Sequence, residues 1–413
     1  MPSESIRALW QGRALALVGI VLYAFALRVA VASLSPVIDH ITADFPMSPG
    51  VIGLIGTAPP VCYAIFGLLT PQLERRFGLE RLALVATAVV AVGLVVRMLA
   101  WDSVSLLLAT TLIFAAVGVG NVTLPPLVKT YFPDRIGLMT TVYTTTMAIA
   151  TFVPPLVAVP VADSAGWRIS LGMWAVFAVA GIVPWIALLV RRGAATAGDA
   201  ETDAVEVPNP RVFGRMWRLP LAWATTGLMA VSSITAYSCF AWLPTILIDT
   251  AGVTPATAGA LLSLFALIGL PCSLIVPMLV ARYRLVRPLV ALAVASGLAG
   301  AAGLLWALAT ATWLWVVLIG TVPLLFPLVL VLLSLRTRTH EASVALSGFT
   351  QSFGYAIAAI FPVSFGILHS ATGSWSAPLI LLMLVFASAI PSGIVISRPR
   401  TVEDEWERRY GAW

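Results

Sequence analysis

Twelve separate stretches of roughly 20 or more apolar residues recur along the chain, near 14–38, 49–72, 81–100, 104–128, 136–161, 168–190, 219–248, 255–281, 285–309, 312–335, 342–368 and 375–397. Each can cross a bilayer as a helix, and no single aqueous core could bury them all. Hydrophobic residues make up 60% of the 413 and charged ones 10%, against about 25% charged in soluble domains. Hydrocarbon offers backbone groups no water to bond, so spans of this length must be helical. The reading is an all-α membrane protein with twelve transmembrane helices.

The chain opens MPSESIRALWQGR and runs into its first apolar stretch without a small-residue cleavage site, so that stretch is expected to be a retained helix and not a signal peptide. The net charge of +6 and the basic isoelectric point sit in loops beside the spans, which favours membrane insertion over nucleic-acid binding. With the N-terminus inside, every basic residue except Arg28, Arg97 and Arg168 falls in an inner segment, while the outer loops carry Asp39, Asp44, Asp102, Asp163 and Asp249. The positive-inside rule therefore predicts a multi-pass plasma-membrane protein with both termini in the cytoplasm.

The organisation is a duplication. Residues 1–190 form a first six-helix bundle and 219–413 a second with a short cytoplasmic tail, joined by a polar, Ala-, Thr-, Asp- and Pro-rich linker over 191–218. At an offset of 206 residues, PQLERRFGLERL from Pro71 aligns with PMLVARYRLVRP from Pro277, matching Arg76 to Arg282 and Arg81 to Arg287. The same offset sets Thr144 on Thr350 and Ala150 on Ala356. Two parallel repeats with a substrate site at their interface are a transporter arrangement.

RRFGLER stands where major facilitator proteins carry the loop G-x-x-x-D-R-x-G-R-R, with Gly78 kept and Arg75 in the aspartate's place. LRVAVASLSPVIDHI, GNVTLPPLVKTYFPDRIGLMTTVYT and GFTQSFGYAIAAIFP resemble the cyanate and 2-nitroimidazole transporter branch of that superfamily. The resemblance covers both halves. It implies the major facilitator fold of two pseudo-symmetric six-helix bundles and transport of a small anionic or weakly acidic solute.

Among candidate residues Arg28 weighs most, because it lies about 21 Å of helical rise inside the first span and cannot easily reach either surface. Val21, Ala24, Ala32 and Ser35 share its face, and no Asp or Glu occupies the middle third of any span. Its counter-charge is then expected to be the solute, since a guanidinium fork suits carboxylate, nitro or similar oxyanions. The alternative is that Arg28 neutralises a carboxylate or caps carbonyls of a broken helix. Tyr143, Thr144 and Thr145 on the fifth span, and Gln351 and Tyr355 on the eleventh, supply hydroxyl and amide groups for hydrogen bonds to a polar solute or between helices. Asn121 precedes Pro125-Pro126 and is expected to satisfy carbonyls that the prolines free, with solute contact second. Tyr237 and Trp242 suit an aromatic wall or outer gate, and Trp242 a membrane-interface belt. Arg97 is expected to snorkel outward or attract anions at a vestibule, and Lys129 to anchor the inner interface. Pro59-Pro60 and Pro154-Pro155 predict bends.

No nucleotide loop, metal-ligand spacing or catalytic triad is visible, and His40, His340 and His369 stand apart at helix ends. The chain is therefore read as a non-enzymatic carrier without cofactor, acting as a monomer. A proton gradient is a possible partner, although Asp39 and Glu341 are better explained by loop pairing and a weak acid could carry its own proton. A multidrug pump for apolar or cationic compounds is the rival reading. It calls for embedded acids, which the spans lack.

Overall fold

The structure, a computed structural model, describes residues 13–132, 134–195, 210–306 and 311–413. Every regular element among them is helical, and twelve segments are long and apolar enough to span a membrane. Residues 196–209 of the predicted linker lie outside the described residues.

The first unit comprises Met1–Pro46 and Ile65–Glu206. It holds α1 (Arg13–Ala32), α2 (Ile38–Asp44), the second part of α3 (Pro49–Phe77), α4 (Leu79–Met98), α5 (Ser103–Tyr131), α6 (Ile136–Ala165), α7 (Trp167–Gly172) and α8 (Ala175–Ala195). The first span is broken: α1 stops at Ala32, and a 3-10 turn at Ser35–Val37 leads into α2. Pro36 supplies the cause, since it has no N–H for the preceding turn and disfavours helical geometry at Ser35. Pro59-Pro60 and Pro154-Pro155 stand inside α3 and α6, which run on through them as helices.

The second unit comprises Met47–Ala64 and Val207–Trp413, so α3 begins in it. It continues with α9 (Pro210–Met216), α10 (Pro220–Ala251), α11 (Pro255–Tyr283), α12 (Val286–Trp306), α13 (Thr312–Thr321), α14 (Leu325–Leu335), α15 (His340–Ala358), α16 (Ile360–Thr372), α17 (Ser376–Ile396) and α18 (Val402–Tyr410). Pro323 starts a 3-10 turn between α13 and α14. The short tail of the sequence reading is a capped helix: Thr401 and Asp404 close a reciprocal capping box at the start of α18.

The internal packing repeats. In the first unit α1 lies against α6 and α8, and α4 against α5 and α8; in the second, α10 lies against α15 and α17, and α12 against α13 and α17. Each unit also carries the same lock. Trp167 Nε1 donates to Asp44 Oδ2 at 2.8 Å, and Trp375 Nε1 donates to Asp249 Oδ2 at 2.8 Å. Small residues permit the close contacts expected where no hydrophobic effect drives helices together. At Gly303 a Cβ would run into the Trp315 ring.

Candidate functional site

Two polar contacts set the levels of the helices in the first unit. Arg13 Nη1 pairs with Asp134 Oδ1 at 3.1 Å, which brings the starts of α1 and α6 to one height. The Tyr23 hydroxyl and Thr123 Oγ1 lie 3.1 Å apart in a buried contact between α1 and α5. Next to it, Gly120 receives Leu27 so closely that a Cβ would stand 2.5 Å from both Leu27 Cδ atoms. Arg28 and Asn121 follow Leu27 and Gly120 in the chain.

Arg28 lies about 22 Å of rise beyond Arg13, and its long side chain tilts back toward the start of α1 by roughly one turn. Thr145 lies about 14 Å of rise beyond the start of α6. Arg28, Asn121, Tyr143 and Thr145 are half-buried. Among the described residues none of the four makes a side-chain hydrogen bond or ion pair. Asn121 therefore does not tie up carbonyls near the proline pair, as the sequence reading expected first. Thr144, by contrast, donates back to Thr141 O at 3.1 Å within its own helix.

Arg97 corrects its expectation. It is 0% exposed and reaches neither an interface nor a vestibule. Its Nη1 donates to Ala30 O at 2.9 Å and its Nη2 to Ser33 Oγ at 3.0 Å. Ala30 O is one of the acceptors left where α1 ends, because the last four carbonyls of a helix have no intrahelical partner, and Ser33 stands just past that end. The capping of a broken helix, weighed for Arg28 from sequence, thus falls to Arg97. The Ser-Leu-Ser-Pro run at 33–36 was the available signal for the break; which arginine would reach it depends on packing.

In the second unit Tyr237 and Tyr355 meet at 6.3 Å between ring centroids. Tyr63 of α3, absent from the sequence candidates, completes a triad at 6.1 Å from Tyr237 and 5.9 Å from Tyr355. Edge-on contacts at these distances are favourable for aromatic rings. Gln351 Nε2 donates to Ser347 Oγ at 2.9 Å, one turn back on α15. Trp242 is 1% exposed and donates to Pro362 O at 2.8 Å, so the expectation of a lipid-facing belt residue is overturned by its burial. The side chain of Lys129 lies outside the described residues.

Comparison with known proteins agrees with this architecture. The profile described as Major Facilitator Superfamily matches residues 19–362. The transporter YycB of Bacillus subtilis is 31% identical over 99% of both chains. The 2-nitroimidazole transporter of Escherichia coli is 31% identical, covering 91% of this chain and 95% of its own. The cyanate transport protein CynX of the same organism is 25% identical, covering 86% and 90%. In fold, the chain resembles the crystal structure of a bacterial homologue of the lysosomal transporter Spinster, with a TM-score of 0.74 over 96% of this chain and 98% of that one at 13% identity. A helical repeat of this kind, a matching profile over most of the length and relatives aligned nearly end to end lead to one assignment: this chain belongs to the major facilitator superfamily and is a membrane transporter, not an enzyme.

Proposed function

We propose that the protein moves a small anionic or weakly acidic solute across the plasma membrane by alternating access, and that Arg28 binds its anionic pole. One observation carries this reading: a cation at membrane depth that has no hydrogen-bond or ion-pair partner among the described residues. An arginine at the centre of a span costs about 2.5–3.5 kcal/mol on insertion scales, and a retained charge of that kind needs a function or a counter-ion. The absence of Asp and Glu from the middle of the spans leaves the solute to supply the counter-ion. Asn121, Tyr143 and Thr145 offer donors and acceptors for the remainder of the solute. The relatives named for cyanate and 2-nitroimidazole support a small polar solute with delocalised charge or a nitro group. The arginine-rich loops favour cytoplasmic termini.

The test is thermal stabilisation of purified wild type and Arg28→Ala by cyanate, nitrate, acetate, 2-nitroimidazole and a cationic dye. A ligand at 100 times its Kd stabilises the folded state by about 2.7 kcal/mol. Stabilisation of wild type by an anion or a weak acid, lost in the variant, is the expected result. Stabilisation of both proteins by the cation alone would refute the proposal.

A further inference from the structure

Arg97 and Arg28 act on the same stretch of α1. The two acceptors held by Arg97, Ala30 O and Ser33 Oγ, lie two and five residues beyond Arg28. Arg97 stands on α4 and is wholly buried, and neither hydrogen bond goes to a carboxylate. Burying a guanidinium in this way costs several kcal/mol in desolvation, far more than is needed to satisfy one helix-end carbonyl that water or a serine could serve. The fork supplies what a single donor cannot, two diverging N–H groups that engage the carbonyl and the hydroxyl at once.

We infer that Arg97 is a positioning residue, which sets the roll of α1 about its axis and thereby the direction of the Arg28 side chain. The inference rests on the reading of Arg28 as the anion anchor. The lever is long. A guanidinium held about 8 Å from the helix axis moves about 3 Å when the helix rolls by 20°, enough to lose a hydrogen bond to a solute. Pinning α1 just past Arg28, at the point where the helix breaks and its end would otherwise fray, removes that freedom. Ser33 belongs to the same device, since its hydroxyl accepts the second donor and it is itself fully buried.

The experiment compares wild type, Arg28→Ala, Arg97→Lys, Ser33→Ala and Ser33→Thr, measuring the Kd for cyanate and for 2-nitroimidazole by calorimetry beside the ligand-free melting temperature. Positioning predicts that Arg97→Lys and Ser33→Ala each weaken binding about tenfold, the worth of one hydrogen bond to a charged group. Ser33→Thr, which keeps the hydroxyl, is expected to restore affinity. A merely structural role would lower the melting temperature of Arg97→Lys and Ser33→Ala and leave the Kd of the folded protein unchanged, and that result overturns the inference. If Arg97→Lys does not fold, the alanine and threonine variants of Ser33 decide alone. Wild-type affinity in both positioning variants while Arg28→Ala fails to bind sinks only this inference. Undiminished binding by Arg28→Ala, or no binding of either probe by wild type, removes the anchor and this inference with it.

Discussion

Substituting Glu403 should unfasten the C-terminal helix from the second unit. Glu403 is 0% exposed, and its Oε1 accepts from Arg338 N at 2.8 Å, Thr339 N at 2.9 Å and Thr339 Oγ1 at 3.1 Å. A tail carboxylate therefore collects the backbone donors just ahead of α15. Two residues on, Glu405 Oε2 accepts from Leu221 N at 2.9 Å at the start of α10. Helix starts present unbonded N–H groups and a positive dipole end, so a carboxylate is the fitting cap at both places. Val402 N donates to Arg336 O at 2.9 Å, and Arg338 pairs with Asp404 and Glu407. The Arg215 guanidinium rests over the rings of Trp406 and Trp413, 5.0 Å from each centroid.

Glu403→Ala removes three acceptor contacts at once and leaves two backbone donors without a partner. Hydrogen bonds to a charged group are worth about 1.5–3 kcal/mol each and are not additive within one carboxylate, so a loss of about 3 kcal/mol is the reasonable expectation. Spread over local opening, that is roughly two orders of magnitude in exchange rate. Amide hydrogen exchange read by mass spectrometry should show peptides covering 336–341 and 402–410 exchanging about 100-fold faster, with the middle of α12 unchanged. Glu405→Ala should instead expose the start of α10. If Glu403→Ala leaves 336–341 as protected as in wild type, the carboxylate is not what holds that turn and the clamp reasoning is wrong.

Gly120→Ala forces a Cβ against Leu27, which is fully buried, and should destabilise by about 1–3 kcal/mol; chemical denaturation of the single and Leu27→Ala double variants should show the second change restoring part of the loss. Glu74, 6% exposed just beyond its span, has its carboxyl pushed above the ordinary glutamate range by burial. The folded protein then holds that proton more tightly than the unfolded chain, so this contribution to stability is present in acid and is lost as the pH rises through the folded value. Glu74→Gln should match wild type at low pH and melt higher above it, and a melting-temperature difference independent of pH would refute that assignment.

Twelve spans were legible because lipid enforces length and apolarity so strictly that composition alone reveals the helices. The break in the first span was legible in principle, through Pro36. The depth of Arg28 could be read from sequence because it follows from counting residues. Arg97 could not be assigned that way. Being near the end of a predicted span reads as an interface position, and only the packing of α4 against the broken end of α1 shows that its side chain turns inward. The tail failed for the opposite reason: Val402–Tyr410 is too short and too charged to register as anything but a surface segment, and the burial of Glu403 and Glu405 depends on which backbone groups the folded unit leaves open.

The duplication supports the role proposed for Arg28. At the offset of 206 residues the first unit's polar set meets apolar or paired residues in the second: Ile234 stands opposite Arg28, Pro327 opposite Asn121 and Phe349 opposite Tyr143. Ile234 and Phe349 are buried at 3% and 0% exposure, and Phe349 sits in an aromatic cluster with Trp217, Trp223 and Phe353. Thr350, the counterpart of Thr144, is spent on a buried hydrogen bond to Thr225 at 3.1 Å. What the two units share are the contacts any such bundle needs, the tryptophan–aspartate locks and the paired helices. Unpaired polar groups at membrane depth are expensive, and when a repeat drops them the bundle still packs, as the second unit does. The second unit thus packs without such groups, which supports the proposed binding role of the cation and three hydrogen-bonding side chains that stand in the first unit without partners among the described residues.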